Sequence, residues 1–288
     1  MYLQPHQRIA ILLHNGITGA KGKTGLALLR YSQNPIAVVI DETCPGESIP
    51  AVAGIERDVP IVATMAAALA HKPDVLAIGL APSGGRLPEP WVEDVRVAIA
   101  AGLNIMNGLH TCFKNDPSLT RHLDPIRYPH QWIWDMRQEP TELSIGTGQA
   151  RHLKCRRILT VGTDMAVGKM SVCIELNRAT QARGVQSQLI ATGQTALMLG
   201  VPGIALDAIR VDFAAGAVEQ AVLNYGDHSD VIYVEGQGSL LNPASTATLP
   251  LLRGSQPTHL VLAHKINLQR IQHFPEFTIP PIQKVIDL

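Results

Sequence analysis

The chain has 288 residues, with 24 lysines and arginines against 24 aspartates and glutamates, and with 46% hydrophobic but only 4% aromatic side chains. That is enough apolar material for two domains of ordinary size, while the absent basic excess and scarce aromatics exclude nucleic acid as an expected partner. The four cysteines (Cys44, Cys112, Cys155, Cys173) form no CxxC pair and the eleven histidines no HxH or HExxH spacing, so reduced thiols and no metal site are expected.

The N-terminal segment, MYLQPHQRIAILLHNG, has an apolar run too short for a signal sequence or membrane span. A soluble, cytoplasmic protein with no membrane partner is the expectation. Short β-branched runs then alternate with helical stretches. Strands are predicted at 8–14, 36–41, 59–62, 75–80 and 104–109, with helices at 23–31, 65–71 and 90–101. This order predicts a parallel sheet covered by helices, a Rossmann-like domain over residues 1–112. Within it, Gly16 precedes Gly22, Lys23 and Thr24 by the glycine spacing that recurs later in the chain. The spacing is either a ligand loop, with Asp41 as a ribose partner, or a chance recurrence. The stretch APSGGR follows a strand and joins backbone N–H groups to a guanidinium. Ser83, Gly84, Gly85 and Arg86 there suit a substrate carboxylate, or equally a solvated turn.

Between 113 and 150 the periodicity fails, with Pro117, Pro125, Pro129 and Pro140 and the aromatic run YPHQWIWDMR, so an interdomain connection is expected. The pattern resumes in a second α/β domain over residues 151–288. Its predicted elements are a strand from Arg157, a helix at 168–183 closed by Gly184, a strand at 187–191, a helix at 213–224, and strands at 231–235 and 260–264.

The run RILTVGTDMAVGKMS, residues 157–171, is the most informative in the chain. It reads as an apolar strand, a glycine-bounded loop and a helix start, the layout of a phosphate-binding loop. Gly162 and Gly168 let backbone N–H groups wrap an anion, and Lys169 adds a positive charge. Thr163, Asp164, Met165, Ala166 and Val167 line the loop, and Met170 and Ser171 open the helix. Met170 stands where a Ser or Thr hydroxyl would ligate Mg²⁺. Ser171 follows one helical step away, rotated by about 100°. Phosphate binding is therefore better supported than Mg²⁺-dependent hydrolysis.

The strand VIYVE places Glu235 at a strand end, before Gly236, Gln237, Gly238 and Ser239. A carboxylate there faces the ligand or caps the turn. ATGQT, at another strand end, offers Thr192 and Gln194 as donors. Asp212 falls where a helix N-cap would, and capping and catalysis are both open for it.

With GTDMAVGKMS, ATGQT, DFAAGAVE, VEGQGSLLNPA and RGSQPTHLVLAHK in this order, the chain resembles the D-glutamate N-acetyltransferase-like family. GKTGLALLRYS, APSGGRLPEPW and GLHTCF extend the resemblance into the N-terminal half, whereas only the two loops resemble dethiobiotin synthetase. The family resemblance implies a Rossmann-like domain followed by a phosphate-loop, NTPase-like α/β domain, and acetyl transfer from acetyl-CoA to the amine of D-glutamate. On that reading the loop and Lys169 bind the coenzyme, Glu235 is the first candidate base and Asp212 the second. Ser83 to Arg86 hold the substrate carboxylate, and Thr192, Gln194 and Gln237 contact the small-molecule substrate. The alternatives are an ATP- and Mg-dependent ligase or kinase, and a non-catalytic nucleotide- or CoA-binding regulator. Assembly as a homo-oligomer is expected.

Overall fold

The computed structural model describes residues 3–19, 21–82 and 85–288. The chain divides into two compact units. The first runs through Arg137 and takes in Met198–Gly200, and the second comprises Gln138–Leu197 and Val201–Leu288.

The first unit contains β1 (Ile9–Leu12), α1 (Lys23–Tyr31), β2 (Ile36–Ile40), α2 (Ile49–Ala53), β3 (Ile61–Val62), α3 (Met65–Ala68), β4 (Val75–Ile78), α4 (Glu89–Ala100), β5 (Asn104–Asn107), α5 (Pro117–Thr120) and β6 (Ile133–Asp135). Its six strands are ordered β3-β2-β1-β4-β5-β6, and every pairing is parallel. This is the strand order of a doubly wound dinucleotide-type sheet. Every residue of β1 and β4 is buried, which is why these strands read as unbroken apolar runs rather than alternating ones. The core gathers Leu12, Val38, Ile40, Leu76, Ile78, Val95, Ile99 and Ile105.

The stretch expected to be a connection supplies β6, which pairs Ile105 with Ile133 and Asn107 with Asp135. Three residues cannot display a period, so the aromatic, proline-rich surroundings masked a strand. Side-chain amides seat this segment: Gln131 Nε2 donates to the carbonyls of Ile99 (2.9 Å) and Leu103 (2.7 Å), and the Trp132 N–H donates to Asn104 Oδ1 (2.9 Å).

Hydrogen bonds to one buried carboxylate and a close backbone approach hold the loop after β1. Asp41 is fully buried. Its carboxylate accepts from the N–H groups of Asn15 (3.0 Å), Ile17 (3.2 Å) and Thr43 (3.0 Å) and from the Thr43 hydroxyl (2.7 Å). A Cβ on Gly22 would lie 2.0 Å from the Gly16 carbonyl oxygen, so close backbone approach explains this glycine pair.

The second unit contains β7 (Arg156–Gly162), α6 (Lys169–Gln181), β8 (Ser187–Ile190), α7 (Gln194–Met198), α8 (Val211–Gly226), β9 (Val231–Val234), α9 (Thr248–Ser255), β10 (His259–Ala263), β11 (Arg270–Ile271), β12 (Phe274–Thr278) and α10 (Ile282–Ile286). Four parallel strands are ordered β10-β7-β9-β8. The strand that feeds the phosphate loop is therefore central, flanked by β9, which leads into Glu235. The antiparallel β11–β12 pair lies outside this sheet. Leu159, Ile190, Val218, Val222, Ile232, Val234 and Leu251 form the core.

Candidate functional site

The loop between β7 and α6 has the shape that its glycines require. Gly168 has φ +101°, a conformation that an L side chain rarely adopts, and a Cβ there would meet nothing within 4 Å. Its outer face is open space. Gly168 leads into α6 without a side-chain cap, so the first N–H groups of this 13-residue helix lack intrahelical acceptors. Ala166 also has positive φ. These features make the concave, amide-lined turn that suits an anion.

Lys169 opens α6 and is buried inside the loop, where Nζ donates to the Asp164 carbonyl at 2.8 Å. A Cβ on Gly162 would lie 3.0 Å from that ammonium and 2.8 Å from a Val167 methyl. Asp164 is the loop's tie. Its Oδ1 accepts from the Met165 N–H (2.7 Å) and Asn242 Nδ2 (2.8 Å), and its Oδ2 accepts from the Gln272 N–H (2.6 Å), between β11 and β12. The Thr163 hydroxyl lies 3.0 Å from His264 Nδ1. Met170 and Ser171 are partly exposed in the first helical turn. Met170 brings a thioether to the slot where metal ligation calls for a hydroxyl.

Glu235 lies beside this loop, at the carboxyl end of β9, and is almost wholly buried. Its Oε2 accepts from the backbone N–H groups of Thr192 (2.8 Å) and Gly193 (3.1 Å). The Thr192 hydroxyl donates to the Glu235 carbonyl at 2.7 Å. Burial pushes the pKa of this carboxyl up to about 7. The two N–H groups and the Lys169 ammonium pull the other way, and Asp207 adds to the rise. A carboxyl poised there exchanges protons near neutrality. Cys173, buried beneath it on α6, is raised by burial and then by Glu235, which keeps it a thiol.

Thr192 thus clamps Glu235 at two points, its N–H on the carboxylate and its hydroxyl on the backbone carbonyl. Gln237 Nε2 donates to the Thr192 carbonyl. Gln194, the first residue of α7, is partly exposed. Asp212 is not an N-cap: α8 begins at Val211, its N-cap is Arg210, and Glu139 accepts from the Arg210 N–H at 3.0 Å. Asp212 is exposed in the first helical turn.

A cavity of about 960 Å³ opens within the second unit. The loop contributes Met165 to its wall, the strand-end turn Gln237 and Gly238, and α8 Val211, Asp212, Ala214 and Ala215. Leu206, Asp207 and Ile209 precede α8, and Leu249, Pro250 and Arg253 project from α9. Asp207 and Arg253 were not singled out in the sequence. Both lie in quoted or neighbouring runs, but a lone charge without a spacing partner carries no signal. Asn242 was missed likewise, although VEGQGSLLNPA contains it.

In the first unit, Arg86 is exposed, and Gly85, at φ +66°, lies against the His110 ring. Ser83 and Gly84 lie outside the described residues. Among the described residues, no group of three or more His, Cys, Asp or Glu side chains is placed to hold a metal ion. None of the described helices is long and apolar enough to cross a membrane.

A family model described as a domain of unknown function, DUF1611_C, P-loop domain, matches residues 144–288. A companion model, DUF1611_N, Rossmann-like domain, matches residues 42–139. A D-glutamate N-acetyltransferase of Tritonibacter scottomollicae is 33% identical over 227 residues, covering 78% of this chain and 66% of that protein. One from a Pseudoalteromonas species is 36% identical over 214 residues, covering 73% and 62%. The chain thus spans slightly less than two thirds of the length of these curated relatives. The crystal structure of a DUF1611 family protein from Anabaena variabilis is 55% identical, with a TM-score of 0.94, covering 98% of this chain and 81% of that one. With both domain models matched in order and a solved relative superposing over 98% of this chain, the chain belongs to the DUF1611 family, built from a Rossmann-like and a P-loop domain.

Proposed function

We propose that this protein is an N-acetyltransferase that moves an acetyl group from acetyl-CoA to the amine of an acidic amino acid, D-glutamate. The observation that carries this reading is Glu235. It is a buried carboxyl with its pKa near 7, clamped by two backbone N–H groups beside a phosphate loop whose metal-ligand slot holds Met170. The names of the curated relatives support the substrate.

The loop fits the phosphates of coenzyme A. Gly168 leaves its outer face open, the start of α6 is uncapped, and the buried Lys169 supplies positive charge without a metal. A charge-assisted hydrogen bond from that lysine contributes about 1.5 to 3 kcal/mol.

The acceptor's ammonium first loses one proton to solvent. Its nitrogen then attacks the thioester carbon, forming the C–N bond and a tetrahedral oxyanion. Glu235 takes the second nitrogen proton. Collapse breaks the C–S bond, and the departing thiolate receives that proton, leaving the amide, the free thiol and Glu235 again ionised. Incubating the full chain with acetyl-CoA and a panel of D- and L-amino acids, while following free thiol, tests the reading. Thiol release with D-glutamate is expected, and silence across every acidic amino acid overturns it.

A further inference from the structure

Two opposite charges, Asp212 and Arg253, line the wall of the 960 Å³ cavity. Asp212 stands on α8 and Arg253 on α9, and both are exposed to the cavity they line. Among the described residues, no ion pair joins either of them to any other group. Two opposite charges thus line one space without forming an ion pair. A ligand that carries both an anion and a cation satisfies both at once. The intervening wall is apolar, with Leu206, Ile209, Leu249 and Pro250, a surface for methylenes.

We propose that this cavity seats the acceptor amino acid as a zwitterion, with Arg253 on a carboxylate and Asp212 on the ammonium. The assignment rests on the acetyltransferase reading and specifies its acceptor site. The uncharged arm of coenzyme A would leave both groups unanswered. Its phosphates would be repelled by Asp212 and by Asp207, which lines the same wall. A guanidinium binds a carboxylate through a planar, two-pronged pair that an ammonium cannot copy. Gln237 joins this wall to the reacting end: it lines the cavity and donates to the Thr192 carbonyl, while the Thr192 N–H holds Glu235. The seat and the base therefore share one hydrogen-bonded turn.

The test is steady-state kinetics of Arg253→Gln, Arg253→Lys and Asp212→Asn in the full chain, with glutarate, which has two carboxylates and no amine, as a competitor. The expected result is a 10- to 100-fold rise in the KM for D-glutamate in Arg253→Gln and Asp212→Asn. The KM for acetyl-CoA should stay within twofold and the Tm unchanged, with partial recovery in Arg253→Lys. Glutarate inhibition should weaken in Arg253→Gln and persist in Asp212→Asn. An acceptor KM within twofold of wild type in both variants overturns the assignment, and so does an effect confined to the KM for acetyl-CoA. A wild-type protein that transfers no acetyl group sinks the acetyltransferase reading instead. In that event, calorimetric titration with D-glutamate alone decides the seat: binding weakened by both substitutions supports it, and no binding, or binding indifferent to them, overturns it.

Discussion

The role proposed for Glu235 couples stability to activity. A carboxyl with a pKa near 7 in the folded protein, against an ordinary value of 4.5, favours folding while it is protonated. That contribution is fully present below the ordinary value and is lost as pH rises through 7. Wild-type Tm should therefore fall relative to Glu235→Gln as pH is raised from 5 to 8, and differential scanning at several pH values checks it. In the proposed reaction activity runs the other way, because Glu235 as base must be ionised: kcat/KM should climb through about pH 7. Glu219 has the opposite sign. Burial would raise its pKa, but hydrogen bonds from the Thr147 N–H and hydroxyl and from the Gln149 and Ala150 N–H groups outweigh it and hold the carboxyl low. Its stabilisation is present above the ordinary carboxylate pKa and is lost as pH falls through the depressed one. Glu219→Gln should cost about 1.5 to 3 kcal/mol at pH 7, a difference that urea titration should find shrinking in strong acid. The place of Glu235 at a strand end was legible in the sequence, because an apolar run stops on it before glycines. The Thr192 clamp was not, since it is made by backbone N–H groups that the fold brings over from another strand.

Among the elements, α1 occupies the predicted residues, Lys23–Tyr31, because its apolar spacing and the preceding glycine left one solution. The phosphate loop was legible for a related reason: glycine at a strand end and at a helix start has few other uses. Gly168→Ala forces a Cβ into φ +101° and should cost about 1 to 3 kcal/mol of loop strain, weakening coenzyme A binding by calorimetry while leaving the core intact. β6 was hidden because a three-residue strand has no period. It is nonetheless core, with Ile133 only 4% exposed. Ile133→Ala should cost about 2 to 5 kcal/mol in denaturant, and a loss below 1 kcal/mol would argue that β6 is peripheral. The hairpin β11–β12 left no sequence signal, and neither did its Gln272 bond to Asp164, because a contact 108 residues apart in sequence has no local trace.

For the whole molecule, composition and element alternation were enough to read two α/β domains in series, and the main sheet of each proved parallel. What the sequence could not supply was the boundary, since the stretch read as a connection is partly sheet. It also could not supply the cavity, whose wall is assembled from five separate segments. At this scale the choice of ligand is a question of mass action. Coenzyme A should raise Tm in proportion to its saturation, whereas Mg·ATP should not, given a thioether at the metal-ligand position. The most direct test of the central claim is single-turnover thiol release from acetyl-CoA and D-glutamate, compared between the wild-type chain and Glu235→Gln. The account predicts one thiol per N-acetyl-D-glutamate formed, slowed at least about 100-fold in the variant with coenzyme A binding retained. Turnover at the wild-type rate in Glu235→Gln, or no thiol from the wild-type chain, would contradict it.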